Sequence, residues 1–345
     1  MKKIISMLLL FLISASIVLN AAENQPQHIK ILFIAGQKSH PCGVHEFYAG
    51  SVLLADILQS LSGKTYDNGE VILPKIETSI HRNAKQNDTY NFDNTDVIVV
   101  FADGGQQYPL KGHEAELEKL QRAGKGFVFL HYALCGSQGN DQVKPNEPPK
   151  DAVLISKLTG GFYEIFHSVN PSYTAEFKHL PKHPITRGVR PFTIEDEWYF
   201  HMRFQDDLTT EQIIDKPLPN SPQAILITTP PNSTKTDNNG AHSGNPTVRN
   251  RLNKPEIVAW ATQRIDGGRG FGFTGGDQHW NFAHPDYRKL LLNAIIWTAK
   301  IDIPKNGIDT LSPKFDELKK NIDKPSQLTS AMEERIRGKI DSWNK

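Results

Sequence analysis

Histidine follows three of the predicted strands of this chain, close to the point where each strand ends. His40 and His45 come after the first strand (29–36). His131 comes directly after the third (126–130), and His279 comes shortly after the last (270–274). Ligands of an open α/β sheet bind outside the carboxyl ends of its strands, so these side chains are expected to converge. Neutral imidazole can be a general base or a metal ligand near pH 7. The pattern predicts acid–base or metal-assisted chemistry; a single histidine in such a place would more often be a surface or hydrogen-bonding residue.

A second group of chemically capable residues lies in the middle of the chain, where residues 195–203 combine acids, aromatic rings, a histidine and an arginine. In an extended conformation Glu197 and Tyr199 share one face, and Asp196 and Trp198 share the other. Carboxylates can accept hydrogen bonds from sugar hydroxyls, and aromatic rings can stack on the apolar face of a sugar. The group therefore suits a carbohydrate, although an edge strand with an ordinary acidic outer face would have the same composition.

The elements that would position these residues alternate between strand and helix. Near-continuous apolar runs at 29–36, 96–101 and 126–130 predict strands that are buried on both faces of a parallel sheet. Apolar residues at helical spacing over 46–61, and a charged segment at 114–123, predict the helices between them. This alternation is typical of the α/β class.

The rest of the chain departs from that alternation. Residues 137–254 are rich in Pro, Asn and Thr, and they predict loops and antiparallel strands inserted over one edge of the sheet. Beyond Pro304 the chain is polar, and we expect a helical tail that is either packed loosely or used for contacts. The elements predicted in these two regions are strands at 173–177, 192–199 and 224–228 and a helix at 330–342. Between the two regions the strand pattern returns at 257–263 and 270–274, and an amphipathic helix is predicted at 286–300.

The first 22 residues have the layout of a secretory signal peptide. Two lysines precede an apolar run over 4–19, and Ala21 and Ala22 follow it. This run is shorter than the about 20 apolar residues of a membrane span, which makes an uncleaved anchor the weaker alternative. We expect an exported protein, periplasmic or extracellular, without a membrane span. Cys42 and Cys135 could form a disulfide in that setting, or remain free thiols, since spacing alone does not fix their distance.

Composition excludes several classes of protein. The 345 residues include 39 Lys and Arg against 38 Asp and Glu, a net charge of +1. A nucleic-acid-binding surface spread over the whole protein would need a clear basic excess. Two cysteines exclude a disulfide-stapled mini-domain and a four-cysteine zinc module. We therefore expect a small carbohydrate as the partner and no nucleic acid, and the sequence leaves a homo-oligomer open.

Several ordered blocks of the sequence resemble the ThuA-like (trehalose-utilisation) domain family. The resemblance runs from about Ile29 to Ile303, and it divides the chain into a signal peptide at 1–22, a ThuA-like domain at 23–305 and a polar helical tail at 306–345. It implies a class I glutamine amidotransferase-like, flavodoxin-like three-layer sandwich with a mainly parallel sheet. The blocks are Ile34-Ala35-Gly36, His45-Glu46, Phe129-Leu130-His131-Tyr132-Ala133, Pro184-Ile185-Thr186-Arg187-Gly188, Asp196-Glu197-Trp198-Tyr199 and Gly268 to Gly276 with His279.

Glutamine hydrolysis is not implied by this resemblance. Amidotransferases of that fold place a nucleophilic cysteine on a sharp turn between a strand and a helix. In this sequence the turn falls at 130–133, so His131 stands where the cysteine would be, and Cys135 comes four residues too late. We expect that the protein is not a functional glutamine amidotransferase.

The resemblance instead implies an enzyme of carbohydrate catabolism, acting on trehalose-type sugars or 3-keto-glycosides. A 3-keto group acidifies the neighbouring C–H, so a glycoside can be cleaved by elimination with a base and an electrophile at the ketone oxygen. A non-catalytic glycan-binding module is the alternative. The expected roles are catalytic for His131, His279 and Glu197, substrate-binding for Tyr132, Asp103, Asp196, Trp198, His201, Arg203 and Asp277, and divalent, zinc-like metal binding for His45, His131 and His279.

Overall fold

A computed structural model describes residues 26–138, 147–237 and 244–344. The predicted signal peptide lies outside these residues. The strands are β1 His28–Gly36, β2 Thr65–Tyr66, β3 Val71–Ile72, β4 Lys75–Ala84, β5 Val97–Phe101, β6 Gly126–Leu130, β7 Gly161–Phe162, β8 Ser172–Phe177, β9 Phe192–Glu197, β10 Arg203–Phe204, β11 Gln223–Thr228, β12 Glu256–Gln263 and β13 Arg269–Phe273. The α-helices are α1 Phe47–Ser60, α2 Glu114–Arg122, α3 Lys150–Thr159, α4 Thr210–Asp215, α5 Ser233–Thr236, α6 Pro285–Thr298, α7 Phe315–Lys319 and α8 Ser330–Trp343.

Seven of these strands form one sheet in the order β11-β12-β13-β6-β5-β1-β4. The neighbours from β4 to β13 are parallel, whereas β12 pairs antiparallel with both β13 and β11. If the five parallel strands are numbered along the chain, their spatial order is 2-1-3-4-5, which is the flavodoxin-like arrangement. The central strands β5 and β6 are buried at every residue, as their apolar runs predicted.

Helices cover both faces of this sheet. One core lies between the sheet and α1 and α6, and it includes Phe33, Val99 and Leu291. The other core lies between the sheet and α2 and α3, and it includes Ile98 and Leu154. Side chains of each central strand alternate between the two cores, because successive residues of a strand point to opposite faces. The prediction of a three-layer α/β sandwich with a mainly parallel sheet is therefore confirmed.

The order of the strands reverses next to β1. The chain runs from β1 to β4 on one side, and then returns to β5 on the other side of β1. Connections that leave in opposite directions open a crevice at the carboxyl ends of β1 and β5, where ligands of such sheets bind. The loops after β1, β5, β6 and β13 all lie at this edge.

The inserted region is partly an antiparallel unit and partly an extension of the sheet. The strands β8 and β9 form a hairpin in which Ser172 pairs with Glu197 and Phe177 with Phe192. Its apolar residues, among them Ile194, are buried in the core on the α1 and α6 side. The strand predicted at 224–228 is β11, which pairs with β12 and so forms the edge strand of the main sheet.

The C-terminal segment, residues 306–344, packs on the domain. Ile308, Phe315, Leu318, Ile336 and Ile340 are buried in the same core as α1 and α6. The predicted helix at 330–342 is α8, which begins after the N-cap Thr329. This segment is thus a structural part of the α1 and α6 face rather than a loose tail. Within the described ranges, no helix combines the length and the apolar character needed to cross a membrane.

Two histidines cap helices through an unprotonated nitrogen. His284 Nδ1 accepts hydrogen bonds from the backbone N–H groups of Asp286 and Tyr287 at the start of α6, and His183 Nδ1 accepts one from Ile185 N–H. Burial lowers the pKa of both side chains to about 4. A proton on Nδ1 would remove the acceptor, so both caps require neutral imidazole.

We expect acidification from pH 7.5 to pH 5 to lower the free energy of unfolding. The pKa of His284 is depressed in the folded state, so its stabilisation is complete above the unfolded pKa of about 6.5 and is lost as the pH falls towards 4. Urea unfolding at both pH values measures the loss. His284→Asn is the matched variant, because asparagine also caps helices but does not titrate. Its loss of stability between the two pH values should be smaller by about 1 to 2 kcal/mol. An identical loss in the variant would contradict this role of His284.

Candidate functional site

Four potential ligand groups meet at the carboxyl edge of the sheet: His45, His131, Glu197 and Asp277. One nitrogen or oxygen atom from each lies within 4.8 Å of those of the other three. We call these four residues the cluster. They come from four separate places in the chain, namely the loop after β1, the turn after β6, the end of β9 and the loop after β13. The convergence of strand-end residues is what the parallel sheet predicts.

His131 is the residue that the turn after β6 projects into the cluster. Its φ of 57° lies in the left-handed region, which is sparsely populated by non-glycine residues, and the strand passes there directly into a 3-10 helix. The Nδ1–H of His131 donates to the carbonyl of Thr274 at 2.9 Å. Its Nε2 therefore carries a lone pair in the neutral ring, and the hydroxyl oxygen of Tyr199 lies 3.0 Å from this nitrogen.

His45 faces His131 from the loop after β1, and its backbone also has a positive φ, 51°. Its Nδ1 lies 2.8 Å from Asp103 Oδ1, and its Nε2 lies 3.3 Å from Asp277 Oδ1. The two Nε2 atoms of His45 and His131 are 3.0 Å apart. Two neutral rings in these orientations would present two lone pairs to each other, so a proton or a cation has to lie between them.

The charges of the cluster place that proton on His45. Burial opposes a charge on His45, but its contacts with Asp103 and Asp277 outweigh this and raise its pKa to about 9. Burial and the neighbouring His45 lower the pKa of His131 to about 3. His131 is thus the neutral member of the pair and the acceptor of its proton.

The pKa values of the two carboxyl groups of the cluster are also shifted in opposite directions. Burial opposes ionisation of Asp277, but its hydrogen bond with His45 and the charge of that ring hold its pKa below the ordinary value. Burial and the repulsion from Asp277 raise the pKa of Glu197 to about 8. The Glu197 side chain is 16% exposed, against 8% for Asp277, 3% for His45 and 0% for His131. Glu197 is therefore the most exposed member of the cluster and the one whose pKa lies near neutral pH.

Asp196, which we expected to bind substrate, instead holds the loop after β13 in place. Its carboxylate is fully buried and accepts hydrogen bonds from the backbone N–H groups of Gly276 and Gln278 at 2.9 and 3.1 Å, and from the hydroxyl of Tyr287 at 2.9 Å. Residue 277 lies between the two N–H donors, so Asp196 sets the position of Asp277.

Trp198, also expected to bind substrate, lies inside the protein. Its ring is completely buried and packs edge-on against Phe177 and Phe273. A Cβ at Gly275 would lie 2.7 Å from this ring, so glycine is required where the loop after β13 passes over it. Glu197 and Tyr199 share one side of this segment and Asp196 and Trp198 the other, as predicted, but Asp196 and Trp198 are buried and structural.

His279, predicted as a catalytic residue and metal ligand, is not brought to the cluster. Its Nε2–H donates to the carbonyl of Leu318 in α7 at 3.0 Å, and its backbone N–H donates to Gly43 O at 3.0 Å. The ring is 1% exposed. The residue therefore joins the C-terminal segment to the loop that carries His45, and Asp277, two residues earlier, occupies the place in the cluster expected for it.

We expect His279→Ala to lower stability and to leave turnover per folded molecule within about twofold. The substitution removes a buried hydrogen bond to Leu318 O, which costs about 1 to 3 kcal/mol, but it keeps the backbone bond to Gly43. Thermal melting and turnover on the same samples measure both effects. His279→Gln is the control, since its amide can restore a donor. A hundredfold loss of turnover in well-folded His279→Ala would return the residue to the catalytic group.

The remaining predicted residues lie beside the cluster or in a neighbouring polar group. Asp103 contacts His45 directly, and half-buried Tyr132 has its ring centroid 6.0 Å from that of Tyr199. His201 stacks on His167 at 3.9 Å between ring centroids, and Arg203 forms an ion pair with Glu164. His201 and Arg203 are thus held by partners of their own.

Two partners of the cluster were absent from the predicted set. Tyr199 could have been found, because it lies two residues beyond Glu197 on the same face of an extended segment. The backbone carbonyl of Thr274 has no signal in the sequence, since any residue there offers the same group. Together these two fix the tautomer and the orientation of His131.

The donor set of the cluster fits a divalent metal ion. Two imidazoles and one or two carboxylates are typical ligands of zinc, and bonds of about 2.0–2.1 Å place tetrahedral ligands about 3.3 Å apart, close to the 3.0 Å between the two Nε2 atoms. The second ring nitrogen of each histidine is bound, by Asp103 for His45 and by Thr274 O for His131. Such second bonds accompany almost every metal-binding histidine.

Both cysteines are buried free thiols. Burial raises the pKa of Cys135 to about 12, and that of Cys42 is raised as well, so neither is a thiolate near neutral pH. Cys135 ends the 3-10 helix that His131 begins, in agreement with the prediction that it misses the turn. The geometry offers no activated thiol at residues 42 or 135 for glutamine hydrolysis.

Comparison with known proteins identifies one family. The family model ThuA, described as trehalose utilisation, matches residues 66–298. No curated protein matches the chain. Similar solved structures are a ThuA-like protein from Bacteroides uniformis ATCC 8492 (14% identity, 81% of this chain and 94% of that one, TM-score 0.48), a ThuA-like protein from Parabacteroides merdae ATCC 43184 (14%, 79% and 90%, 0.46) and PurLQS from Thermotoga maritima (10%, 78% and 97%, 0.38).

Proposed function

Because the chain belongs to the ThuA (trehalose utilisation) family, we propose that it is an enzyme of carbohydrate catabolism that cleaves trehalose-type sugars after their oxidation to 3-keto-glycosides. The observation that carries this proposal is the cluster itself. Two histidines with mutually facing Nε2 atoms and two carboxylates of different pKa lie buried at the carboxyl edge of the sheet. Pairs of titratable groups whose pKa values are pushed apart are characteristic of acid–base sites.

We assign the proton transfers to Glu197. In its ionised form the carboxylate takes the proton from the carbon next to the ketone, the glycosidic C–O bond breaks, and the proton passes to the departing oxygen. Burial and the charge of Asp277 raise the pKa of Glu197 to about 8, and a cation held by the other three residues of the cluster would lower it again. Both forms of the carboxyl then stay accessible near neutral pH, as one group that must take and return a proton requires. The products are an unsaturated ketone and the released alcohol.

His45, His131 and Asp277 would hold a divalent, zinc-like metal ion beside this carboxylate. The ion would supply Lewis acidity at the ketone oxygen, where negative charge develops. Asp103 and the carbonyl of Thr274 orient the two imidazoles, and the hydroxyl of Tyr199 borders the same space. Both histidines are nearly completely buried, so their ring nitrogens are shielded from bulk water.

A non-catalytic glycan-binding module is less well supported. Such a module needs exposed aromatic rings to stack on sugars, and both Trp198 and Tyr199 are buried at 0% and 1% exposure. It has no need for buried histidines with opposite pKa shifts. We further propose that the enzyme acts after export, as the residues at 1–22 predict. N-terminal sequencing of the mature protein should then begin near residue 23, and a mature form that starts at Met1 would contradict export.

Metal analysis combined with a substrate comparison tests the proposal. We expect about one divalent ion per chain in protein purified without chelators, and turnover of 3-ketotrehalose but not of trehalose. Chelation should abolish turnover, and zinc or another divalent ion should restore it. Metal-free protein with full turnover would refute the metal assignment. Absence of turnover on 3-keto-glycosides by metal-loaded protein would refute the enzymatic proposal.

A further inference from the structure

A polar cleft opens beside the cluster, at the crevice where the strand order reverses. It lies between the ends of β1 and β5 and has a volume of about 300 Å³, at the lower end of the range for ligand pockets. The residues that line it are Gly36, Gln37, Lys38, Ser39, Ala84, Ala102, Asp103, Gly104, Gln106, Gln107 and Pro109. Its size suits one small ring rather than a chain of sugars.

Two glycines, Gly36 and Gly104, lie among the lining residues at the strand ends. A Cβ at Gly36 would lie 2.6 Å from the Cβ of Ala102, and a Cβ at Gly104 would lie 2.7 Å from that of Cys135. Both positions therefore need glycine for packing below the cleft. The two glycines thus let the strand ends that border the cleft pack closely against their neighbours.

Asp103 joins the cleft to the cluster. Its side chain lines the cleft and is 25% exposed, while its Oδ1 lies 2.8 Å from His45 Nδ1. A ligand in the cleft thus lies one side chain away from the imidazole pair. A substrate could therefore place one part in the cleft while the adjoining part reacts at Glu197.

The charge of the lining selects against anionic ligands. Lys38 is the one cationic side chain among the described lining residues, and its ammonium group is already bound by Glu46, Pro41 O and Val44 O. Asp103 is the one acidic side chain among the same lining residues, so the cleft offers a carboxylate and no unpaired cation. A phosphate or carboxylate would meet repulsion there.

The polar groups of the lining match hydroxyls. Gln37, Gln106 and Gln107 each carry a carboxamide, with two N–H donors and a carbonyl acceptor, and Ser39 adds a hydroxyl. A sugar hydroxyl both donates and accepts, so each pairs naturally with an amide. We propose that this cleft is the subsite for the neutral, non-reacting hexose ring of the substrate, an inference that rests on the proposed function.

Calorimetric titration tests this subsite separately from turnover. The probes are trehalose, D-glucose and glucose 6-phosphate, and the variants are Gln106→Leu, Gln107→Leu and the double substitution. Gln263→Leu is the matched control, because the same substitution then falls at an exposed residue on the opposite edge of the sheet. We expect the Kd for trehalose to rise roughly tenfold in the double variant. We also expect Gln263→Leu to leave it unchanged, and glucose to bind more tightly than glucose 6-phosphate.

Several outcomes would overturn the subsite. One is a Kd for trehalose that is unchanged in the double variant or that rises equally in the Gln263→Leu control. Another is tighter binding of glucose 6-phosphate than of glucose. The last is no binding of trehalose by the unaltered protein at millimolar concentration. Turnover of 3-ketotrehalose, measured in parallel, separates the two proposals. Turnover whose KM is unaffected by the glutamine substitutions supports the function and refutes the subsite. Sugar binding that depends on these glutamines, without turnover, supports the subsite and refutes the function.

Discussion

Replacing His131 with asparagine is expected to lower the turnover of a 3-keto-glycoside by about a hundredfold to ten-thousandfold, the range for loss of an acid–base or electrophilic group. His131 is the fully buried centre of the cluster, and its Nε2 lies 3.0 Å from both His45 Nε2 and the Tyr199 hydroxyl. Removing that nitrogen takes away the point on which these groups converge. Steady-state kinetics on purified variants measure the loss.

Asparagine is the substitution that keeps the backbone comparable. Residue 131 has a φ of 57°, a region that asparagine enters more readily than alanine. The fold should therefore remain intact, and circular dichroism with thermal melting verifies this. The same argument applies to His45, whose φ is 51°. A large loss of turnover with a small change in melting temperature would assign the effect to chemistry rather than to folding.

The combined substitution of His45 and His131 distinguishes one shared task from two separate ones. If both rings serve the same metal ion or the same proton, the double variant should lose little more activity than the worse single variant, because residues that act as a unit are not additive. His279→Ala is the control outside the cluster. Retained turnover in the double variant would end the catalytic role of this pair.

The centre of the fold could be predicted from the sequence because its strands are buried on both faces. Continuous apolar runs such as 97–101 have few alternatives to a parallel strand. The edge strand β4, Lys75–Ala84, was not predicted, because one of its faces is largely exposed and its apolar residues are interrupted by charged and polar ones. Its pairing with β1 decides its conformation, and no local pattern encodes that pairing.

The candidate site could be predicted only as far as the strand ends determine it. His45 and His131 meet because parallel strands deliver their loops to one edge. His279 lies six residues beyond the end of β13, and over that distance the chain turns its ring towards Leu318 in the C-terminal segment. Which face of β9 points inward was equally undetermined, because it depends on the packing of Trp198 against α6 and the sheet.

Replacing Glu197 with glutamine is expected to lower turnover by about a hundredfold to ten-thousandfold, since the amide keeps the size of the side chain but neither takes nor returns a proton. Glu195→Gln is the matched control, two residues earlier on the same face of β9 and exposed to solvent. It should retain full turnover. A comparable loss in Glu195→Gln would show that the charge of the strand matters rather than the group at residue 197.

The pH profile and the metal content of Glu197→Gln together determine what Glu197 does. Burial and Asp277 raise the pKa of this carboxyl, so the unaltered enzyme should lose kcat/KM on acidification well above pH 4.5, as the ionised base is depleted. In the variant, this acid limb should disappear from the residual activity while the metal content stays at that of the unaltered protein. Loss of the metal, with activity restored by added ion, would instead make Glu197 a ligand. An acid limb that persists in the variant would place the base on another residue, and the low pKa of Asp277 leaves the imidazoles as the remaining groups of the cluster that could titrate there.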